Sequence, residues 1–317
     1  ETGDASVFHG IAQDSIVMNL DDLLCIGVNG RIVISNTINR NALNCPGEVI
    51  AALIEGSERF LAELRQWGVN IHSGGGETAD VGDLTGTVVV DSCAVSVMRK
   101  SDVITGDRIG TDLAIVGLAS TGKGTYETAS NSGIGSNGLT SARHDMLRHV
   151  YAERYPESFD ANVAADLVYC GPYDLTDPLP DSDLTVGQAL LSPTRTYAPV
   201  IHNLLAQDRD AIRGIVHCSG GAQTKCLKFG RGVHFVKNDL FPTPPVFRAI
   251  QAASGTESKE MYQVFNMGHR LEIYCEESSV NEVIDVAGSF HIEAQQIGHT
   301  EANSTAANRL TIVHDGT

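Results

Sequence analysis

The sequence predicts an α/β (α+β) protein of two domains, and three observations carry that reading. Its 317 residues exceed the roughly 100–200 of a single domain. Helical apolar spacing alternates with β-branched runs, without the internal repeat of roughly 20–50 residues that would signal a solenoid. The hydrophilic stretch KSDVITGDRIGTD separates two such blocks, which puts the domains at residues 1–106 and 107–317.

In the first block, FHGIAQDSIVMNLDDLLCIG sets Ile11, Ile16, Leu20, Leu23 and Leu24 at helical spacing and stops at Gly27. RIVISNT is β-branched and reads as a strand. Pro46 opens a second helix, with Ile50, Leu53, Phe60, Leu61 and Leu64 on one face and Gly68 closing it. TGTVVVDSCAVSVMRK is the strongest strand signal in the chain. In the second block, DLAIVGLAST begins a strand, a loop rich in small polar residues runs from Ser120 to Gly138, and LTSARHDMLRHVYA reads as one helix. Beyond a polar insert near Pro172–Asp183, PTRTYAPVIHNLLAQ is helical and GIVHCSGG is a strand ending in glycines. Strand VHFVKN, helix PPVFRAIQAA, segment KEMYQVFNMG, strand LEIYC, helix SVNEVIDVAG and strands EAQQIGHT and RLTIVHD complete the chain.

Charge limits the partners. With 22 basic and 39 acidic residues the chain carries −17, which repels a phosphate backbone, and no basic stripe interleaved with aromatics offsets it. Nucleic acid is therefore not an expected partner. Neither is a membrane, since no apolar run approaches the ~18 residues of a span. An anionic small molecule can bind only where backbone N–H groups, a metal ion or a few basic side chains reverse the sign locally. The seven cysteines are scattered and contain no C-x-x-C pair, so they read as buried thiols of a cytoplasmic protein.

Four glycine clusters bear on chemistry. GLASTGK (117–123) lacks the Ser or Thr that a P-loop places next, and GIGSNG (133–138) lacks the strand that precedes a dinucleotide site. The small residues 135–138 ahead of a helix can still offer N–H groups to an anion; the alternative is an ordinary capped helix. GGGETAD (74–80) reads as a glycine turn just past VNIHS, with Glu77 and Asp80 on one side of it, able to bind Mg²⁺ through oxygen or simply solvated. HCSGG (217–221) is a strand end whose glycine turn either faces a phosphate or makes a tight connection. Asp14, Asp21 and Asp22 add acid to the first helix, the first two on nearly the same face. No H-E-x-x-H or G-x-S-x-G occurs, which disfavours zinc and serine-triad chemistry.

Read in order, GGETAD, SNG (136–138), SPTR (192–195), HCSGG and MYQVFNMG (261–268) resemble the GGETAEM, HSNG, APTR, T-G-G and M-[YF]-x-T-F-N-x-G motifs of the aminoimidazole ribonucleotide synthetase, or phosphoribosylformylglycinamidine cyclo-ligase, family. The resemblance runs from about Gly10 to the last strand. It implies an N-terminal domain whose strands pair across a homodimer into a β-barrel with flanking helices, and a C-terminal α/β domain that contributes substrate phosphate-binding loops. It also implies a reaction: ATP-dependent closure of formylglycinamidine ribonucleotide to aminoimidazole ribonucleotide in de novo purine biosynthesis, releasing ADP and phosphate. The formyl oxygen would attack the γ-phosphorus and the neighbouring amine would then close the ring.

Carried over residue by residue, the resemblance makes Asp22, Glu77 and Asp80 ligands of Mg²⁺, with Gly75, Gly76 and Thr78 beside them at the ATP. Ser136, Asn137 and Gly138, with Ser219, Gly220 and Gly221, would hold the substrate and its 5′-phosphate. Thr194 and Arg195 match A-P-T-R, Arg195 supplying local positive charge, and Asn266 and Gly268 match F-N-x-G. No catalytic base is assigned. The chain departs from the pattern in its longer 120–135 loop and in Ser219 for Thr, and the family's Lys-bearing G-V-G-T-K-like segment is expected upstream of the first helix. Two other readings stay open. One is another ATP-dependent enzyme of the superfamily, of the hydrogenase maturation factor, selenophosphate synthetase or thiamine-phosphate kinase type; the other is a catalytically silent binding homologue.

Overall fold

The computed structural model describes residues 2–313. Helix α1 (Phe8–Cys25) and helix α2 (Gly47–Gln66) pack on a three-stranded sheet of β1 (Ile32–Arg40), β2 (Ile71–Asp80) and β3 (Val88–Ser96), in the order β2-β1-β3. Strand β4 (Ala114–Ala119) starts a second sheet. It is followed by α3 (Leu139–Met146), α4 (Val150–Arg154), α5 (Val186–Leu190), α6 (Ala198–Asp208), β5 (Ile212–His217), β6 (Val233–Lys237), α7 (Pro245–Ser254), α8 (Ser258–Val264), β7 (His269–Cys275), α9 (Val280–Ser289), β8 (Ala294–Ala302) and β9 (Arg309–Ile312). The second sheet has six strands in the order β5-β7-β4-β8-β6-β9, antiparallel throughout except for the β6–β9 pair. The fold is thus a mixed α/β architecture of two sheets, the larger of them mainly antiparallel. Within one chain the smaller sheet is open. No helix among the described residues is long and apolar enough to cross a membrane.

One core joins the two sheets: Leu20 and Leu24 of α1, Leu61 of α2 and Ile71 of β2 cluster with Val116 of β4, Tyr197, Leu204 of α6 and Ile273 of β7. A second core, around Met146, Phe247 and Phe265, binds α3 to α7 and α8, and a third, around Ile115, Phe235, Tyr274 and Ile297, covers the other face of the larger sheet.

Three local expectations change. GGGETAD is strand, not turn: β2 continues through it, parallel to β1, with one irregularity opposite Ile34–Asn36 where Gly75 takes φ +90°. Glycine is needed because the strands approach closely. A Cβ on Gly76 would lie 2.3 Å from the Asn36 carbonyl oxygen, and one on Gly74 2.7 Å from Val33. Next, LTSARHDMLRHVYA breaks at Leu147, which is extended and bridges to Tyr173, while Gly171 packs so tightly on Asp145 and Met146 that a Cβ would lie 2.2 Å from the Asp145 carbonyl oxygen. Finally, PTRTYAPVIHNLLAQ becomes helical only at Ala198, because the residues before it bond to α1. Of the expected last strand, His314 and Asp315 lie outside the described residues.

The larger sheet buries ionisable groups. Lys237 and Glu272 are both fully buried; the ammonium donates to Glu272, to the Gln223 carbonyl (2.7 Å) and to Gln223 Oε1 (3.1 Å), which uses its three N–H bonds. Tyr274 donates its hydroxyl to Glu272 Oε2 (2.6 Å), and His269 Nε2 lies 3.1 Å from Oε1. Burial pushes the Glu272 carboxyl up, but the ammonium and these hydrogen bonds outweigh it and hold the carboxyl at about 2. Its stabilising contribution is complete above the ordinary carboxylate range and is lost as pH falls through about 2. Lys237→Met strands that carboxylate without its cation and is expected to lower stability at neutral pH by about 3–5 kcal/mol in urea unfolding. A change no larger than the ~0.5 kcal/mol of a surface substitution would overturn this account.

Candidate active site

Helical geometry places the adjacent Asp21 and Asp22 about two turns beyond Asp14 on α1, so that Asp14 and Asp21 meet the 194–197 segment and Asp22 meets the end of β5. Asp14 accepts the Thr194 backbone N–H at 2.7 Å. Asp21, fully buried, accepts the Thr196 hydroxyl at 2.6 Å and the Tyr197 N–H at 3.3 Å. Asp22 accepts from His217 Nδ1 at 2.9 Å, at the end of β5. Burial raises the carboxyls of both Asp14 and Asp21, the second to about 7 despite the nearby Arg270. Burial and Arg270 together lower His217 to about 4, so its ring is neutral. Nδ1 then carries the proton given to Asp22, and Nε2 accepts from Arg270 Nη2 at 2.5 Å.

The 133–138 loop is tied to the same segment. Ser136 N–H donates to Thr194 Oγ1 at 2.9 Å, and Asn131 Nδ2 donates to the Pro193 carbonyl at 2.7 Å. Gly138 takes φ +81° at the start of α3, where a Cβ would lie 2.5 Å from the Phe265 ring. Asn137 Oδ1 is buried and has no partner among the described residues. Across the site, Gly220 borders open space, Gly221 takes φ +89°, and Lys225 Nζ donates to Ser219 Oγ at 2.7 Å.

The structure brings together Asp22, the 136–138 loop, Thr194 and the 219–221 turn. It does not do so for every residue expected at the site. Arg195 was expected to supply free positive charge, yet it is 2% exposed and all five of its N–H donors are engaged: by Glu127 Oε1 and Oε2 (2.7 and 2.5 Å) and by the carbonyls of Ala119, Thr121 and Gly122. It clamps the 119–127 loop and has no donor left for a ligand. Asn266 is likewise a strut. Its Oδ1 accepts the Ser120 hydroxyl and the Gly268 N–H, and its Nδ2 donates to the Gly133 carbonyl at 2.7 Å. Gly268, at φ +128°, passes its carbonyl to Ser120 N–H.

Glu77, Thr78, Gly75 and Gly76 are exposed along β2, and Asp80 accepts the Ala42 N–H at 3.1 Å. Among the described residues, the ligand atoms of Asp22, Glu77 and Asp80 do not cluster within one chain; the group that does is Cys218, His269 and Glu272, within 4.8 Å of one another. That group is already served by the Lys237 ammonium, and burial keeps the Cys218 thiol protonated. Sequence reasoning passed over His217, Lys225 and Arg270 as site residues. The signal for Arg270 is present: HRLEIYC carries His, Arg and Glu in a strand otherwise apolar enough to be central. If Arg195 is a clamp, Arg195→Lys should lower stability by more than about 2 kcal/mol in thermal unfolding while the folded protein keeps its affinity for inorganic phosphate. Weakened phosphate binding without destabilisation would return Arg195 to the ligand site.

Comparison with known proteins agrees with this architecture. The AIR synthase related protein N-terminal domain matches residues 3–98, and the AIR synthase related protein C-terminal domain matches residues 171–308. The phosphoribosylformylglycinamidine cyclo-ligase of Methanocaldococcus jannaschii is 27% identical over 295 residues, covering 93% of this chain and 72% of that protein. The one from Methanopyrus kandleri is 34% identical over 203 residues, 64% of this chain and 48% of that protein. Among solved structures, the thiamine monophosphate kinase of Aquifex aeolicus superposes with a TM-score of 0.55 at 10% identity, covering 98% of this chain and 82% of that one. HypE of E. coli gives 0.55 at 16%, covering 95% and 76%. These two likenesses concern the fold alone. With both of its domains matched in order, the chain belongs to the AIR synthase related protein family.

Proposed function

We propose that this chain is a cytoplasmic, ATP-dependent cyclo-ligase that closes formylglycinamidine ribonucleotide to aminoimidazole ribonucleotide in de novo purine biosynthesis, releasing ADP and phosphate. The observation that carries the reading is the convergence of the 133–138 loop, the 194–197 segment and the 217–221 turn on the carboxylates of α1. This occurs in a chain that aligns over 93% of its length with a relative named as a cyclo-ligase. Residues 1–106 would then form the nucleotide-binding and dimerisation domain, and residues 107–317 the domain that grips the substrate.

In this reading Ser136, Asn137 and Gly138 face Ser219, Gly220 and Gly221 across the substrate and its 5′-phosphate, with Thr194 holding the first loop in place. Asp22 suits Mg²⁺: its side chain is 58% exposed, and His217 fixes one oxygen while leaving another for a hard cation. Bound Mg²⁺ would neutralise charge on the transferred phosphoryl group. Glu77 and Asp80 have the same chemistry and flank Thr78 on β2, with Gly75 and Gly76 leaving room for ATP. A homodimer is the route by which they would share an ion with Asp22. The outward face of β3 favours one, since Val89 and Val95 are 49% and 56% exposed on an open sheet edge and Val97, just past its end, is 91% exposed. Pairing two such sheets would build the barrel.

The direct test is to incubate the protein with ATP, Mg²⁺ and formylglycinamidine ribonucleotide and follow aminoimidazole ribonucleotide; folded protein that yields none refutes the reading. Asp22→Asn and Glu77→Gln should each weaken Mg²⁺–ATP binding by about tenfold or more in calorimetry. Unchanged affinity in both would refute the metal assignment. Val95→Glu should convert a dimer into monomer in analytical ultracentrifugation.

A further inference from the structure

We propose that Arg270 is the receptor for a phosphate-type oxyanion, aligned by His217 and enclosed by the 135–138 loop. This deepens the cyclo-ligase reading and rests on it for the identity of the ligand.

Two buried arginines are used in opposite ways. Arg195 and Arg270 are each 2% exposed. Arg195 spends every N–H on carbonyls and on Glu127. Arg270 makes one side-chain hydrogen bond among the described residues, from Nη2 to His217 Nε2, and its Nε is buried without a partner. A buried donor left without a partner is costly, the more so on a charged group, so a protein that keeps one there is organised around something that completes it. A guanidinium presents its N–H bonds as a planar fork that matches phosphate oxygens in pairs.

Placement agrees with this chemistry. Arg270 lies near the start of β7, two residues after the Gly268 turn, and Gly135 lies directly against it: a Cβ there would be 2.9 Å from Nη1 and 3.7 Å from Thr194 Oγ1. The absent side chain lets the loop carrying Ser136 and Asn137 close on the guanidinium. Arg270 is also held by His217, which Asp22 holds in turn. Charge demands a cation at this point. The chain carries −17, the carboxyls of Asp14, Asp21 and Asp22 lie close enough to Arg270 to feel its charge, and Arg195 is consumed by Glu127. Arg270 supplies the positive charge that sequence matching assigned to Arg195.

Two sources of the oxyanion share this chemistry, the transferred phosphoryl group and the 5′-phosphate of the ribonucleotide. The test begins with inorganic phosphate, titrated calorimetrically into the folded protein, into Arg270→Lys and into Gly135→Ala, with near-UV circular dichroism reporting the fold. Lysine keeps the charge but loses the fork, and alanine crowds Nη1 while leaving the arginine in place. Each is expected to weaken phosphate binding by about ten- to hundredfold. Wild-type protein that binds no phosphate, or folded variants that bind it as wild type does, would overturn the proposal. Turnover then separates the sources: a raised KM for the ribonucleotide with kcat held identifies the 5′-phosphate, and a lowered kcat with KM held identifies the transferred group. Neither parameter moving also overturns it. Should wild type make no aminoimidazole ribonucleotide, the cyclo-ligase reading fails while the phosphate titration still decides the role of Arg270.

Discussion

The arrangement of this molecule depends on three carboxylates of one helix. Asp14, Asp21 and Asp22 leave α1 toward the larger sheet, and between them they receive the N–H groups of Thr194 and Tyr197, the hydroxyl of Thr196 and the ring of His217. Each bond satisfies a group that would otherwise be buried or half-buried without a partner, so the pieces cannot slide past one another cheaply. Thr194, so fixed, receives the Ser136 N–H through its hydroxyl, and His217, so fixed, receives Arg270. Loops from four distant parts of the chain therefore take their positions from one helix of the N-terminal part. The shared apolar core beneath them, from Leu20 and Leu24 to Ile273, holds that helix against the second sheet.

The same economy governs charge. In a chain at −17, three Lys and Arg side chains among the described residues are fully or almost fully buried, Lys237, Arg195 and Arg270. Lys237 is neutralised by Glu272 and Arg195 by Glu127, each inside a saturated hydrogen-bond set. These two are architecture: they pin strands and a loop, and their pairing leaves no field for a ligand. Arg270 differs because its neighbours restrain it without exhausting it.

β2 illustrates how a motif can be read correctly as residues and wrongly as shape. The glycines of GGGETAD are demanded by the closeness of β1, whose Asn36 carbonyl leaves no room for a side chain on Gly76. They therefore make a strand and its irregularity rather than a turn. The acids that follow them stand exposed on an open sheet and, among the described residues, form no ligand cluster with Asp22 in a single chain.

Much of this was legible in the sequence. Periodicity determined α1, α2, β3, β4 and β7, because apolar spacing responds to a local repeat that needs no knowledge of the partner. Motif order determined the family, and it picked out the 136–138 and 219–221 turns and Asp22. Tertiary structure alone decided which charges remain free. Arg195 and Arg270 are the same residue type at buried positions. What separates them is whether Glu127 and three carbonyls, or a single histidine nitrogen, happen to lie within reach. Such bonds join residues 53 to 195 positions apart, and a contact at that separation leaves no mark on the local pattern of the chain.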